Sequence, residues 1–321
     1  MHNLKSVFRR ELPVFAALLQ EQISTLPPLT RPVAAHILNS GGKRLRPLLT
    51  LLTGRSLGPH HQDLYTLGTA VEILHAASLL HDDILDNAPL RRGRPAAHTL
   101  FGVSSVILAG DAMLGKALLR VSSLRDPRLT ACFAEAVMHT AEGEIDEGAN
   151  LRNPDLSHED YLRIITDKTA WVLRASCELG ALRAGGGDAA VAAAGDFGLH
   201  LGIAFQMVDD ALDFSPPSVT GKPCGGDLRE GKITPPLLLY LRSLSESERT
   251  AFKTSFQANA LKNEELEATA AAIFAGGFAH KTRSLADRHL ENARAALALF
   301  PAGRERDILD EVVNFVRHRK Q

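Results

Sequence analysis

The chain predicts an all-α protein, one bundle-like domain around a central space. Two observations carry that reading. Apolar residues recur at helical spacing over most of the chain, with no convincing run of alternating β-branched residues to mark a strand. Clusters of Gly and Pro separate the periodic stretches, and no linker or low-complexity segment divides residues 1–321.

In order, the periodicity predicts helices over about 4–26, closed by Pro27-Pro28, and 31–40, closed by Gly41-Gly42. Helices follow over about 44–57, ending at Gly58-Pro59, and 61–86, ending in a loop from Asn87 to Pro95. Next come 102–123 and 128–148, before Asn153-Pro154, then 157–184, before Gly185-Gly186-Gly187, and 188–214. The last four are 234–256, 262–276, 278–298 and, after Pro301, 303–319. Between them the longest irregular stretch, about 215–236, is rich in Gly and Pro and carries Lys222, Arg229 and Lys232. That composition predicts a lid.

The bulk numbers describe a soluble globular protein, with 321 residues, 45% hydrophobic, 23% charged and a net charge of −1. Near-neutral charge argues against a general nucleic-acid binder. Three widely spaced cysteines, Cys132, Cys177 and Cys224, read as reduced thiols, so a cytoplasmic protein is expected. The N-terminal stretch has too short an apolar run for a signal peptide, and no transmembrane segment is expected.

Two acidic boxes of the form D-D-x-x-D stand out, each at the end of a long apolar helical pattern. They are Asp82, Asp83 and Asp86, and Asp209, Asp210 and Asp213. Helical spacing puts each trio on one side of about one turn. Three carboxylates that close repel one another, and Mg²⁺ takes carboxylate together with substrate phosphate. Basic spots accompany the boxes. Gly41-Gly42-Lys43-Arg44-Leu45-Arg46 stands at a helix start suited to phosphate, Arg91 and Arg92 follow the first box, and Lys168-Thr169 lies inside a helix. His75 shares the side of Asp82 two turns earlier, and Gln206 that of Asp209 one turn earlier. Together these residues fit metal-bound and metal-free phosphates side by side. Arg317, Arg319 and Lys320, at the C-terminus, are expected to solvate the tail.

The chain resembles the trans-type polyprenyl diphosphate synthases, most of all the long-chain, octaprenyl-like members. The resemblance runs from about residue 41 to the C-terminal helix. Its pieces are GGKRLRP at 41–47, LLHDDILD at 79–86, LRRG at 90–93, GD at 110–111, AEGE at 141–144, KTA at 168–170, FQMVDDALDF at 205–214 and GKPCGGDLREGKITPPL at 221–237. Pro235 departs from the pattern, where Leu is expected.

The resemblance implies an isoprenoid-synthase fold of antiparallel helices around a deep cavity, usually homodimeric. It also implies condensation of an allylic diphosphate with isopentenyl diphosphate. By position, Asp82, Asp83 and Asp86 would bind two Mg²⁺ ions and Asp209 a third, with Asp210 and Asp213 ordering its waters. Arg91, Lys168, Thr169, Gln206, Lys222 and Lys232 would hold the allylic diphosphate. Lys43, Arg46, His75 and Arg92 would hold isopentenyl diphosphate. The product would run back along helix 61–86, past Ser78, Ala77 and Leu74. In short-chain relatives a bulky aromatic before the first box closes that path, whereas here the side chains at 77 and 78 are small. At about 1.5 Å per residue the helix measures ~39 Å, room for about seven or eight isoprene units. A product of about forty carbons, a quinone side chain, is therefore expected, with peripheral membrane contact allowed at product release. A terpene cyclase would replace the second aspartate box with an Asn/Ser/Glu pattern, and a regulatory subunit would have lost metal aspartates. Neither departure is present.

Overall fold

A computed structural model describes residues 2–216 and 224–319. Helices dominate it, as expected. They are α1 (His2–Ser24), α2 (Arg31–Leu38), α3 (Leu45–Leu57), α4 (Asp63–Leu85), α5 (Ala97–Phe101), α6 (Val103–Ser122) and α7 (Pro127–Ala149). After α8 (His158–Ile165) come a π-helical turn (Thr166–Ala170), α9 (Trp171–Arg183) and α10 (Asp188–Asp213). The remainder comprises α11 (Gly226–Glu230), α12 (Pro235–Ser243), α13 (Glu246–Gln257), α14 (Asn263–Ala275), α15 (Phe278–Leu297) and α16 (Arg304–Arg317).

Several elements differ from the sequence reading. The stretch 157–184 is interrupted by the π-turn, which no Gly or Pro marks. The stretch 234–256 is two helices, because Ser245 and Glu248 form a capping box that starts α13. A small hairpin, β1 (Leu90–Arg91) against β2 (Arg94–Pro95), follows the first box. Its turn residues Arg92 and Gly93 both have positive φ, the conformation a two-residue hairpin turn favours. Pro235 opens the first turn of α12, where a missing N–H costs nothing, so its departure from the family pattern is accommodated.

The backbone falls into two compact units. The first is Met1–Thr140, Trp171–Gly198 and Ala295–Val312, and the second Ala141–Ala170, Leu199–Arg294 and Val313–Gln321. At the core of the first lies α4, apolar on all sides and packed against α1, α2, α3, α6 and α9. Glycines set the closest crossings. A Cβ at Gly180 would sit 2.4 Å from Thr50 O, so α9 lies directly on the α3 backbone. At Gly110 on α6 the missing side chain makes room for the His81 ring, whose Nε2 is 3.2 Å from Ile107 O. Buried Glu11 ties α1 down by accepting from Tyr65 Oη at 2.6 Å and Arg55 Nη1 at 2.8 Å. In the second unit α11 and α12 pack on α14, around buried Leu228, Leu237, Phe256 and Ile273.

Among the described residues α10 alone is long and apolar enough to cross a membrane. However, 61% of its most apolar window is buried within the protein, as in a core helix.

The α3–α9 crossing makes a stability prediction. Gly180→Ala should lower the unfolding free energy by about 1–3 kcal/mol through overpacking. Urea denaturation checks this, and an unchanged midpoint would contradict so close a backbone approach.

Candidate active site

The first box occupies the last turn of α4, with Asp86 as the C-cap residue. A helix C-terminus is the negative end of its dipole, so three carboxylates there need counter-charge. Arg91, delivered by the hairpin, supplies part of it. Its Nε donates to Asp83 Oδ1 at 2.7 Å, and its Nη2 pairs with the same oxygen. Burial opposes the charge on Arg91, but the hydrogen bond and charge of Asp83, with Asp82 and Asp86, hold its pKa above the usual range. Asp83 is 1% exposed, and its Oδ2 has no hydrogen-bond partner among the described residues.

A cationic cluster lies in the same unit. His75, one helical turn before Leu79 on α4, is pushed well below its ordinary pKa by burial and by Arg46, Arg92, Arg44 and Arg91. It therefore faces this cluster as a neutral ring able to donate or accept one hydrogen bond. Arg92 folds over the Gly41-Gly42 turn, where Nη1 donates to Gly41 O and a Cβ on Gly42 would clash with the guanidinium. Lys43 is exposed beside it. The structure thus brings Arg46 and Arg92 around His75, three of the four residues expected together, and adds Arg91, which the resemblance assigns to the other diphosphate. Leu74 and Ala77 are buried in the core, and the hydroxyl of Ser78 donates to His75 O at 3.0 Å.

The second unit carries the other box at the C-terminal end of α10. Asp210 is buried and accepts from Tyr161 Oη at 2.5 Å and Gln206 Nε2 at 2.8 Å. Burial raises its pKa to about 7 against those two bonds, with Asp209 and Glu147 adding to the rise. Gln206 Oε1 in turn accepts from Thr169 Oγ1 at 3.1 Å, which links the box to the π-turn. Lys168, on that turn, pairs with Glu144 at 2.7 Å and Glu147 at 2.5 Å. Lys232 reaches Glu230 at 2.9 Å and Glu147 at 3.9 Å. The π-turn is held by two close helix approaches. A Cβ at Gly143 would sit 2.1 Å from Lys168 N, and one at Gly202 2.6 Å from Ala170 Cα.

Asp213 does something the spacing did not suggest. Its carboxylate accepts the backbone N–H groups of Gly226 at 3.0 Å and Asp227 at 3.1 Å, capping α11 within the predicted lid. Lys222 lies outside the described residues.

The expectation that the C-terminal cations merely solvate the tail is corrected. Arg319 is 15% exposed, pairs with Asp209 at 2.5 Å and lies over the Phe205 ring at 4.3 Å. Arg317 bonds Asp287 at 2.8 Å and also pairs with Glu291. The cause is the acidic box itself, which attracts the nearest guanidinium, and Phe205 offers that guanidinium an aromatic face. Lys320 lies outside the described residues.

Sequence reasoning also missed Glu144, Glu147, Tyr161 and Asp227. The two glutamates had a signal, an i,i+3 acidic pair beginning in the AEGE piece. Asp227 is half-buried, and desolvation with the charges of Asp213 and Asp210 pushes it well above the carboxylate range. Nothing local in the sequence marks Tyr161.

Both boxes fit a hard divalent cation. Each is an all-oxygen donor set, one with a buried oxygen lacking a protein partner and the other with a carboxyl driven toward neutrality.

Comparison with known proteins agrees with this geometry. The polyprenyl synthetase family matches residues 27–273. An octaprenyl diphosphate synthase of Haemophilus influenzae is 40% identical over 222 residues, 69% of this chain and 68% of that one. The crystal structure of a decaprenyl diphosphate synthase from Rhodobacter capsulatus superposes with a TM-score of 0.92 at 34% identity, covering 99% of this chain and 98% of that one. A polyprenyl synthase from Caulobacter crescentus CB15, complexed with calcium and isoprenyl diphosphate, gives 0.94 at 33% identity over 100% and 98%. With both aspartate boxes, Arg91, Arg92 and Lys168 inside the matched span, the chain belongs to the polyprenyl synthetase family and is a trans-polyprenyl diphosphate synthase, a prenyltransferase.

Proposed function

We propose that this enzyme elongates an allylic diphosphate by successive head-to-tail condensations with isopentenyl diphosphate. The product is an all-trans polyprenyl diphosphate longer than about twenty carbons, near forty by the ~39 Å expected of helix 61–86. The observation that carries this reading lies in the first unit, where a carboxylate box whose buried Asp83 Oδ2 has no partner among the described residues adjoins the arginines around His75. Such a pair of features seats one metal-bound diphosphate and one metal-free diphosphate. The calcium and isoprenyl diphosphate of the Caulobacter relative are the matching chemistry.

Asp82, Asp83 and Asp86 would hold two Mg²⁺ ions, and Asp209 a third, with Asp210 ordering its waters. Asp213 would act through its cap on α11. When bound, Mg²⁺ neutralises the allylic diphosphate and makes it a better leaving group. Arg91, Lys168, Thr169, Gln206, Lys222 and Lys232 would grip that group. Lys43, Arg46, His75 and Arg92 would hold isopentenyl diphosphate with its double bond toward the allylic carbon. The allylic C–O bond breaks, the double bond attacks the resulting carbocation, and the released diphosphate takes the proton, so no protein base is needed. Closure of the 215–236 lid would keep out water that would quench the cation.

Product length follows from α4. With Ala and Ser at 77 and 78, α4 itself carries no Phe, Tyr or Trp between Tyr65 and Asp86. The relatives include octaprenyl and decaprenyl diphosphate synthases but also a geranylgeranyl diphosphate synthase, so the length rests on the residues before the first box. Synthesis of a quinone side chain in the cytoplasm fits such a product. A homodimer is part of the same reading, because α6 exposes Val103, Ile107, Leu108, Leu118 and Leu119, an apolar surface that a second copy would cover.

Asp83→Ala and Asp210→Ala should each lower kcat/KM by roughly a hundredfold or more, read by radiolabelled isopentenyl diphosphate incorporation. Near-normal turnover in either variant would remove that box from the chemistry. Chromatography of the wild-type product should show chains beyond about twenty carbons, and Ala77→Phe should shorten them while the first condensation survives. Unchanged length would place the stop elsewhere. Sedimentation should give twice the chain mass of 34.7 kDa, and Leu108→Glu with Leu119→Glu should shift it toward the monomer.

A further inference from the structure

We propose that Arg44 and Glu72 form a buried latch that shapes the isopentenyl diphosphate subsite, both acting as positioning residues rather than ligands. The inference rests on the functional reading above.

Arg44 is the N-cap of α3, with φ +48°, a left-handed conformation that a non-glycine residue adopts only at a cost. Its side chain explains why it is held there. Nη1 donates to Glu72 Oε1 on α4, and Nη2 donates to Leu38 O, the last residue of α2. One guanidinium thus ties the end of α2, the start of α3 and the middle of α4. Glu72 is 4% exposed and stands one turn before His75 on the same helix. Between Leu38 and Arg44 runs the Gly41-Gly42 turn, with φ of +84° and +131°, and Arg92 Nη1 donates to Gly41 O. Arg92 therefore holds the turn directly, and Arg44 ties down the α2 end before it. Lys43 and Arg46 flank the latch in sequence, so its geometry decides where their charges point.

With its fork committed to Glu72 and Leu38, Arg44 is not available to grip a diphosphate in the same arrangement. A rigid bidentate fork fits this role better than a flexible ammonium. The alternative role for Glu72 is a simple counter-charge within the arginine cluster. The two roles predict opposite signs. Removing a counter-charge makes the subsite more positive and tightens diphosphate binding, whereas removing the latch lets Lys43 and Arg46 drift and weakens it.

Initial rates of the full-length enzyme, with isopentenyl diphosphate varied at saturating farnesyl diphosphate and the reverse, separate them. Glu72→Gln should raise the KM for isopentenyl diphosphate roughly ten- to hundredfold and leave that for farnesyl diphosphate within about twofold. Arg44→Gly relieves the positive-φ cost yet deletes the fork, so the same selective rise is expected. Arg44→Lys, which keeps the charge but cannot reach both acceptors in plane, should also raise that KM. A lowered or unchanged KM in Glu72→Gln, a wild-type KM in Arg44→Gly, or equal rises for both substrates would overturn the latch. If Glu72→Gln does not fold, by circular dichroism, the two Arg44 variants decide by the same ratio. A wild-type enzyme that consumes no isopentenyl diphosphate would overturn the functional reading itself.

Discussion

Crowded negative charge at the ends of helices is the constraint on which the rest of the site depends. Both aspartate boxes occupy the C-terminal turn of a long helix, α4 and α10, where the helix dipole already disfavours anions. An isolated helix with three carboxylates there would be weakened. Every neighbour is a response to that cost. Arg91 comes from the hairpin to Asp83 and Arg319 from the tail to Asp209, while burial lifts Asp210 to about 7 against its hydrogen bonds from Tyr161 and Gln206. In each unit, under the proposed function, a divalent cation with diphosphate would complete the neutralisation, and the charge that strains the helix end would then favour substrate.

Much of this was legible before any coordinates. The Gly and Pro clusters bounded most helices to within a residue or two, because breakers act locally and need no tertiary context. Each box could be read from spacing on its own helix, His75 and the Arg91-Arg92 pair from the first box's helix and following loop, and Arg46 from the glycines before α3. What escaped depends on contacts distant in sequence. Tyr161 meets Asp210 across 49 residues, and Arg319 meets Asp209 across 110, without a local pattern in either case. The capping box at Ser245 was a local signal, outweighed by the apolar periodicity on both sides of it. The resemblance gives Asp213, with Asp210, the ordering of a metal's waters, yet two backbone N–H groups claim its oxygens.

The basic residues show the same division of labour. In the GGKRLRP piece three cations stand within four residues, and composition alone makes them look alike. Packing separates them. Lys43 is exposed, Arg46 belongs to the cluster around His75, and Arg44 is drawn inward by Glu72. One buried carboxylate thus sorts three similar charges into different tasks.

The π-turn that carries Lys168 and Thr169 bears on how the gene itself can vary. A π-turn is a helix holding one residue more than its hydrogen-bonding needs, and each residue of an α-helix turns the chain by about 100°. Losing any one residue between Thr166 and Ala170 would restore a regular helix and swing everything beyond it to a different face. The flanking backbones at Gly143 and Gly202 leave no slack to absorb such a rotation. This stretch is therefore frozen in length as well as in side chains, and variation in homologous genes should enter it by substitution, with insertions and deletions confined to the loops.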